Sequence, residues 1–129
     1  MSRVVVSEGE FAAKLATLRG SSDPVFLLFS STRNAAGTRW CGDCDASDPV
    51  IDEAFQHAPA GTLLVEVVVE RERWKVDPGQ SHPFRKEPFF VKGVPTIIEW
   101  DPVAGKPRRR VVDCEQQELL ADLFAKSGM

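Results

Sequence analysis

The spacing of apolar and polar positions changes several times along the chain, and each change marks an element. Residues 4–6 are three valines, a short strand by length and β-branching. Ser7 with Glu10 three residues later is a capping-box pattern, and Phe11, Leu15 and Leu18 recur on one helical stripe before Gly20. The run 25–29 is apolar without alternation, as expected of a strand covered on both faces in the middle of a sheet. A polar loop occupies 30–39. Val50, Ile51, Ala54 and Phe55 then carry a second helix to about residue 58, with Pro49 inside it and a kink expected there.

Residues 62–69 are rich in β-branched side chains and read as the next strand, although Glu66 interrupts the apolar run. The stretch 70–92 is charged and broken by proline, with room for at most one short helix. Residues 94–100 make a strand with Pro95 at its start, 101–107 supply a turn, and 108–112 a hairpin partner. Asp113 is expected to cap a final amphipathic helix carrying Leu119, Leu120, Leu123 and Phe124. Strands separated by helices early and a hairpin late imply an α/β fold, a mixed central β-sheet flanked by α-helices on both faces. The 9 glycines and 9 prolines are scattered as punctuation and no repeat divides the chain, so residues 1–129 are expected to form a single domain.

Composition narrows the function. A chain of 129 residues, 43% hydrophobic and 27% charged, is near the mean for one globular domain. Sixteen Lys plus Arg against nineteen Asp plus Glu give a net charge of −3, which does not favour a nucleic acid or an anionic membrane as partner. The apolar runs fall far short of the roughly 20 residues that span a bilayer. Residues 4–6 are too few for the apolar region of a secretory signal, so a cytoplasmic protein is expected. Three cysteines, an odd and sparse set, do not make a disulfide scaffold; Cys41, Cys44 and Cys114 are left for catalysis, metal binding or packing.

The chemistry concentrates in Trp40-Cys41-Gly42-Asp43-Cys44, where a buried strand has ended and a helix begins. Free N–H groups and the positive end of the helix dipole stabilise an anion at that point, so Cys41 is placed to attack as a thiolate. Cys44, nearly one turn further on the same face, is placed to resolve a disulfide that Cys41 has formed. Gly42 permits a tight turn into the helix. Asp43, with Asp45 and Asp48 behind it, adds negative charge that opposes the helix field, and Asp43 is a candidate for proton handling beside Cys44. Trp40 offers a large apolar lid and docking surface. Pro95 lacks an N–H and can adopt the cis form, which would expose the backbone of Val94 to an incoming extended peptide.

These residues, with Pro49 eight positions after Cys41 and Val94-Pro95-Thr96 much later, resemble the thioredoxin pattern. The long loop 31–39, Asp43 before the second cysteine, Trp74-Lys75 with Asp77-Pro78, and Phe84-Arg85 ahead of Val94 make the chain similar to the thioredoxin domain-containing protein 17 family over nearly its whole length. That resemblance implies a thioredoxin-like fold and a monomeric cytosolic disulfide reductase in which Cys41 attacks and Cys44 resolves. It implies small disulfides such as cystine and selected disulfide-containing proteins as substrates, a thioredoxin reductase as electron donor, and no cofactor. Gly42 stands where that family commonly has proline. The strand 25–29 also lacks the buried acid that serves the resolving thiol in thioredoxin, leaving Asp43 as the nearest substitute.

Plainer readings stand beside these. Cys-x-x-Cys is also zinc-ligand spacing, but Cys114, His57 and His82 supply no second paired set. Cys114 reads as a buried small hydrophobe, Trp74 as packing, and Asp43 equally as a solvated first-turn acid. Arg108, Arg109 and Arg110 read as a solvated hairpin edge. The alternative to an enzyme is a non-catalytic binding module that keeps the fold.

Overall fold

A computed structural model of the chain describes residues 2–75 and 81–125. Asp77-Pro78, part of the resemblance above, lie outside the described residues. The elements are β1 (Ser2–Ser7), α1 (Glu8–Thr17), β2 (Val25–Ser31), α2 (Gly42–Phe55), β3 (Leu63–Val69), α3 (Arg71–Lys75), β4 (Thr96–Asp101), β5 (Lys106–Val111) and α4 (Gln117–Ala125), with a 3-10 turn at Pro83–Arg85. The strands form one sheet in the order β1-β3-β2-β4-β5. β1, β3 and β2 run parallel, while β4 is antiparallel to β2 and β5 to β4.

Local sequence accounts for most of this. The capping box forms as expected: the Ser7 side chain accepts from the Glu10 N–H, and the Glu10 carboxylate accepts from the Ser7 N–H at 2.9 Å. Each bond removes an orphan donor from the head of α1. β2 is buried at every position, the burial expected of the middle strand of a sheet covered on both faces. α2 runs unbroken through Pro49. Two expectations are corrected. The stretch 70–92 holds two short helical segments rather than one, α3 and the 3-10 turn. Asp113 does not cap α4: its carbonyl accepts from Gln116 N–H at 3.1 Å in a separate turn, and the helix starts only at Gln117.

Helices cover both faces. On one, α1 and the segment 84–91 bury Phe11, Phe29, Phe84, Val65, Val67 and Ile98. On the other, α2 and α4 bury Phe26, Leu28, Ile51, Leu64, Leu120 and Phe124. Side chains of this kind each contribute about 1.5–3 kcal/mol when removed from water. His82 is buried on the first face; its Nδ1 accepts from the Phe84 N–H at 3.1 Å, which leaves Nε2 as the donor to the Glu8 carboxylate and ties the 3-10 turn to α1. Trp74 is buried beneath the Arg85 guanidinium, 3.7 Å above its ring, in keeping with a packing role. The β5 arginines line an edge strand and are individually engaged, Arg109 with Glu99 at 3.0 Å and Arg108 with Asp101 at 3.3 Å. Among the described residues no helix is long and apolar enough to cross a membrane.

Candidate active site

The parallel strands end on one side of the sheet, and the candidate residues gather there, where open α/β sheets commonly bind ligands. β2 delivers Ser30 and Ser31, both buried, and the chain then makes the loop 32–41 before α2 begins. Asn34 organises that loop: its Oδ1 accepts from the N–H groups of Ala36 and Thr38, each at 3.0 Å. Arg33 and Arg39 form a bridge across it.

Arg39 anchors the loop to the body of the protein. Its guanidinium, with the side chain 0% exposed, donates to Asp48 through Nε at 2.8 Å and to Glu66 through Nη2 at 3.1 Å, and also to the Ser31 carbonyl. Glu66 is itself buried and accepts from Arg3 at 2.8 Å. Neither Arg39 nor Glu66 emerges from sequence as a site residue, yet together they hold the backbone just ahead of the cysteines. The signal was the single acid within an otherwise β-branched buried strand, since a buried carboxylate requires a partner. Trp40 is fixed by a second anchor, its Nε1–H donating to the Val69 carbonyl at 2.9 Å, with the Lys75 ammonium 5.6 Å from the ring.

Cys41 is the N-cap residue of α2, with φ −104° and ψ 117°, and its carbonyl accepts from Cys44 N–H at 3.1 Å and Asp45 N–H at 3.3 Å. Its side chain makes no capping bond and is half-buried; Sγ instead lies 3.6 Å from the Val94 carbonyl oxygen. Cys44 is buried in the first turn of α2. All three cysteines are free thiols. Burial pushes the Cys44 thiol up from its ordinary value; the hydroxyls of Ser30 and Ser31 oppose this, and the charge of Cys41 adds to it.

Gly42 is corrected in its reason. It lies inside α2, outside the positive-φ residues, and a Cβ there would meet nothing within 4 Å, so the helix start does not require glycine. Asp43 is exposed on the first turn. Val94 is half-buried and Pro95 buried, and the bond between them is cis. Cys114, buried as expected, lies behind Pro95, its Sγ 3.9 Å from the Pro95 oxygen and 3.5 Å from that of Val111. Burial pushes its thiol up to about 12, with Cys44 and Asp113 adding to the effect against a backbone bond from Ile97. Among the described residues, no group of three or more His, Cys, Asp or Glu side chains is gathered to hold a metal ion.

The sequence profile described as Thioredoxin domain-containing protein 17-like, thioredoxin domain, matches residues 5–126. Thioredoxin domain-containing protein 17 of Homo sapiens is 33% identical over 104 residues, covering 79% of this chain and 78% of that protein. The protein of the same name from Epinephelus coioides is 28% identical over 119 residues, covering 91% and 89%. Among solved structures, oxidised thioredoxin O1 from Arabidopsis thaliana superposes with a TM-score of 0.58 at 24% identity, covering 95% of this chain and 97% of that one. Trxlp from Edwardsiella tarda EIB202 gives 0.59 at 19%, covering 96% and 99%. These two likenesses carry the fold, and the relatives support a thioredoxin-like redox function. Cysteines at the head of α2, a sheet of this order and a profile matched almost from end to end converge: the chain belongs to the thioredoxin domain-containing protein 17-like family of thioredoxin domains.

Proposed function

We propose that this protein is a cytoplasmic thiol-disulfide oxidoreductase that reduces small-molecule and selected protein disulfides through the dithiol of Cys41 and Cys44. Cys41, as thiolate, attacks one sulfur of the substrate disulfide; a Cys41–substrate bond forms, the substrate S–S bond breaks, and the leaving thiolate takes up a proton. Cys44 then loses its proton and attacks Cys41 Sγ. The second substrate thiolate leaves, and the two electrons gained by the substrate are balanced by a new Cys41–Cys44 disulfide, which a thioredoxin reductase restores to the dithiol. The observation that carries this reading is the inequality of the two sulfurs, one half-buried at the helix start and the other buried in the first turn.

That inequality supports the division of roles. Cys41 can meet a substrate, whereas Cys44, buried and with its thiol held up, reacts only with what is already bonded to Cys41. The Ser30 and Ser31 hydroxyls stabilise the Cys44 thiolate as it forms. Asp43, on the same turn, serves as the acceptor that passes this proton to solvent. Trp40, Gly42, Val94 and Pro95 form the surface that a substrate segment meets, with the Val94 carbonyl beside the reacting sulfur.

Trapping tests the reading. With Cys44→Ser, a covalent adduct on Cys41 accumulates when a disulfide substrate is added, and it resolves in the unaltered protein. Reductase activity surviving in Cys41→Ser would overturn the assignment and leave a binding module without turnover. For Asp43, the pH profile of mixed-disulfide resolution shifts to higher pH in Asp43→Asn; an unchanged profile removes its role.

A further inference from the structure

Beside the thiols lies a groove of about 450 Å³, floored by Val94, Pro95 and Cys114. Its rim is unequal in charge: Asp43, Asp113 and Glu115 line it, against Lys92 alone. Among the described residues none of these three carboxylates makes an ion pair or a side-chain hydrogen bond, whereas Asp48, Asp52 and Glu66, further along the same face, are each held by arginine. An independent feature sits within the same groove. Ser47, one turn beyond Cys44, lines it, and its Oγ is buried and unpartnered, although the residue is 1% exposed. A buried hydroxyl left without a partner costs on folding and is satisfied when a ligand group reaches it.

Three free acids at the rim and an unmatched hydroxyl on the wall are complementary to one chemistry, a cation with several N–H donors on an extended stem. We propose that this groove selects disulfides whose half-cystine is flanked by an arginine or lysine, with Asp113 and Glu115 attracting the cation and Ser47 accepting a hydrogen bond from it. The proposal deepens the oxidoreductase reading and rests on it: the substrate sulfur meets Cys41 at the Val94 carbonyl, and the neighbouring side chain is directed along the groove floor. The net charge of −3 attracts the same substrates at longer range.

The experiment mixes pre-reduced protein with peptide disulfides of one sequence that carry arginine, glutamine or glutamate beside the half-cystine. It follows single-turnover oxidation of the protein dithiol, so no reductase is needed. At low salt the second-order rate constant for the arginine peptide exceeds that for the glutamate peptide by about tenfold, and the gap narrows as salt is raised. Asp113→Asn with Glu115→Gln, both at exposed positions, brings the ratio to within about twofold while the glutamine peptide is unaffected. Ser47→Ala lowers the rate with the arginine peptide about threefold and spares the glutamine peptide. Equal rates on all three peptides, or a ratio untouched by the double variant, would overturn the selectivity and leave the oxidoreductase intact. If no peptide oxidises the protein, both readings fall.

Discussion

The two faces of the central sheet are built from different materials. The α1 face is aromatic: Phe11, Phe29, Phe84 and Phe89 meet edge-on or tilted at centroid distances of 5.2 to 5.9 Å. The α2 face mixes apolar packing with a buried ionic cluster, Arg39 and Arg3 on Glu66, and with the thiols of Cys44 and Cys114. β3 shows the division within one strand. Val65, Val67 and Val69 belong to the aromatic face, while Leu64 packs on the other and Glu66 meets the arginines there. Cohesion on the first face comes mainly from packed rings, with His82 as its one buried polar tie described above. On the second it is directed, and fixed charge positions the backbone from which Cys41 is presented.

The largest test of this contrast removes an aromatic anchor. Phe29→Ala costs about 3–5 kcal/mol in urea unfolding, because it deletes a ring fully enclosed by its neighbours. It leaves native Cys41 alkylation rates nearly unchanged. Next, Arg39→Ala takes the enclosed guanidinium away from Glu66 and Asp48, leaves them to Arg3 and Arg33, and costs about 1.5–3 kcal/mol. Unlike the first variant, it also alters the rate at which Cys41 forms a mixed disulfide, because the loop ahead of it loses its tie to β2. If both variants affect stability and thiol kinetics in the same proportion, the two faces do not divide their labour.

A smaller effect appears with pH. The Cys114 thiol is raised from 9.0 to about 12 in the folded protein, so above pH 9 the unfolded chain loses a proton that the native state keeps. The stability this thiol contributes is complete below pH 9 and falls as pH rises toward 12, by at most about 1.4 kcal/mol per pH unit. Cys114→Ala flattens that alkaline decline, measured by urea unfolding at stepped pH. The smallest effect is a gain. Gly42 occupies the first helical position, where an N–H has no partner within the helix, and Cys41 ahead of it is already extended. Gly42→Pro therefore stabilises by about 0.4–1 kcal/mol, visible as a higher midpoint in urea.

Much of this is legible in the sequence, for reasons that differ by region. The start of α1 is readable because Ser7 and Glu10 satisfy each other within four residues. The middle strand is readable because nothing polar interrupts 25–29. The cysteine pair is readable because its spacing and its place after a buried strand are both local facts. What escapes is non-local. Arg39 finds Glu66 across 27 positions, and no window of neighbouring residues reveals that pair. His82 shows no periodicity, yet it is buried against Glu8 on α1 across 74 positions. The Asp113 cap misleads because Cys114 is buried behind Pro95 and the chain makes a separate turn at 113–116 before α4 starts. Ser47 looks like an ordinary helix residue, and only the groove beside it gives its hydroxyl a meaning.

Arg85 donates to the carbonyls of Lys92 and Trp74 at 2.8 and 3.2 Å, and Arg110 to those of Phe89 and Phe90 at 2.8 and 3.1 Å. The stretch of chain leading to Val94 is thus clasped by guanidinium groups gripping main-chain oxygens. Guanidinium keeps its charge at every pH a protein survives, and amide oxygens do not titrate. This clasp is therefore deaf to acidity, and it holds the Val94 carbonyl beside Cys41 with a grip that protons do not loosen.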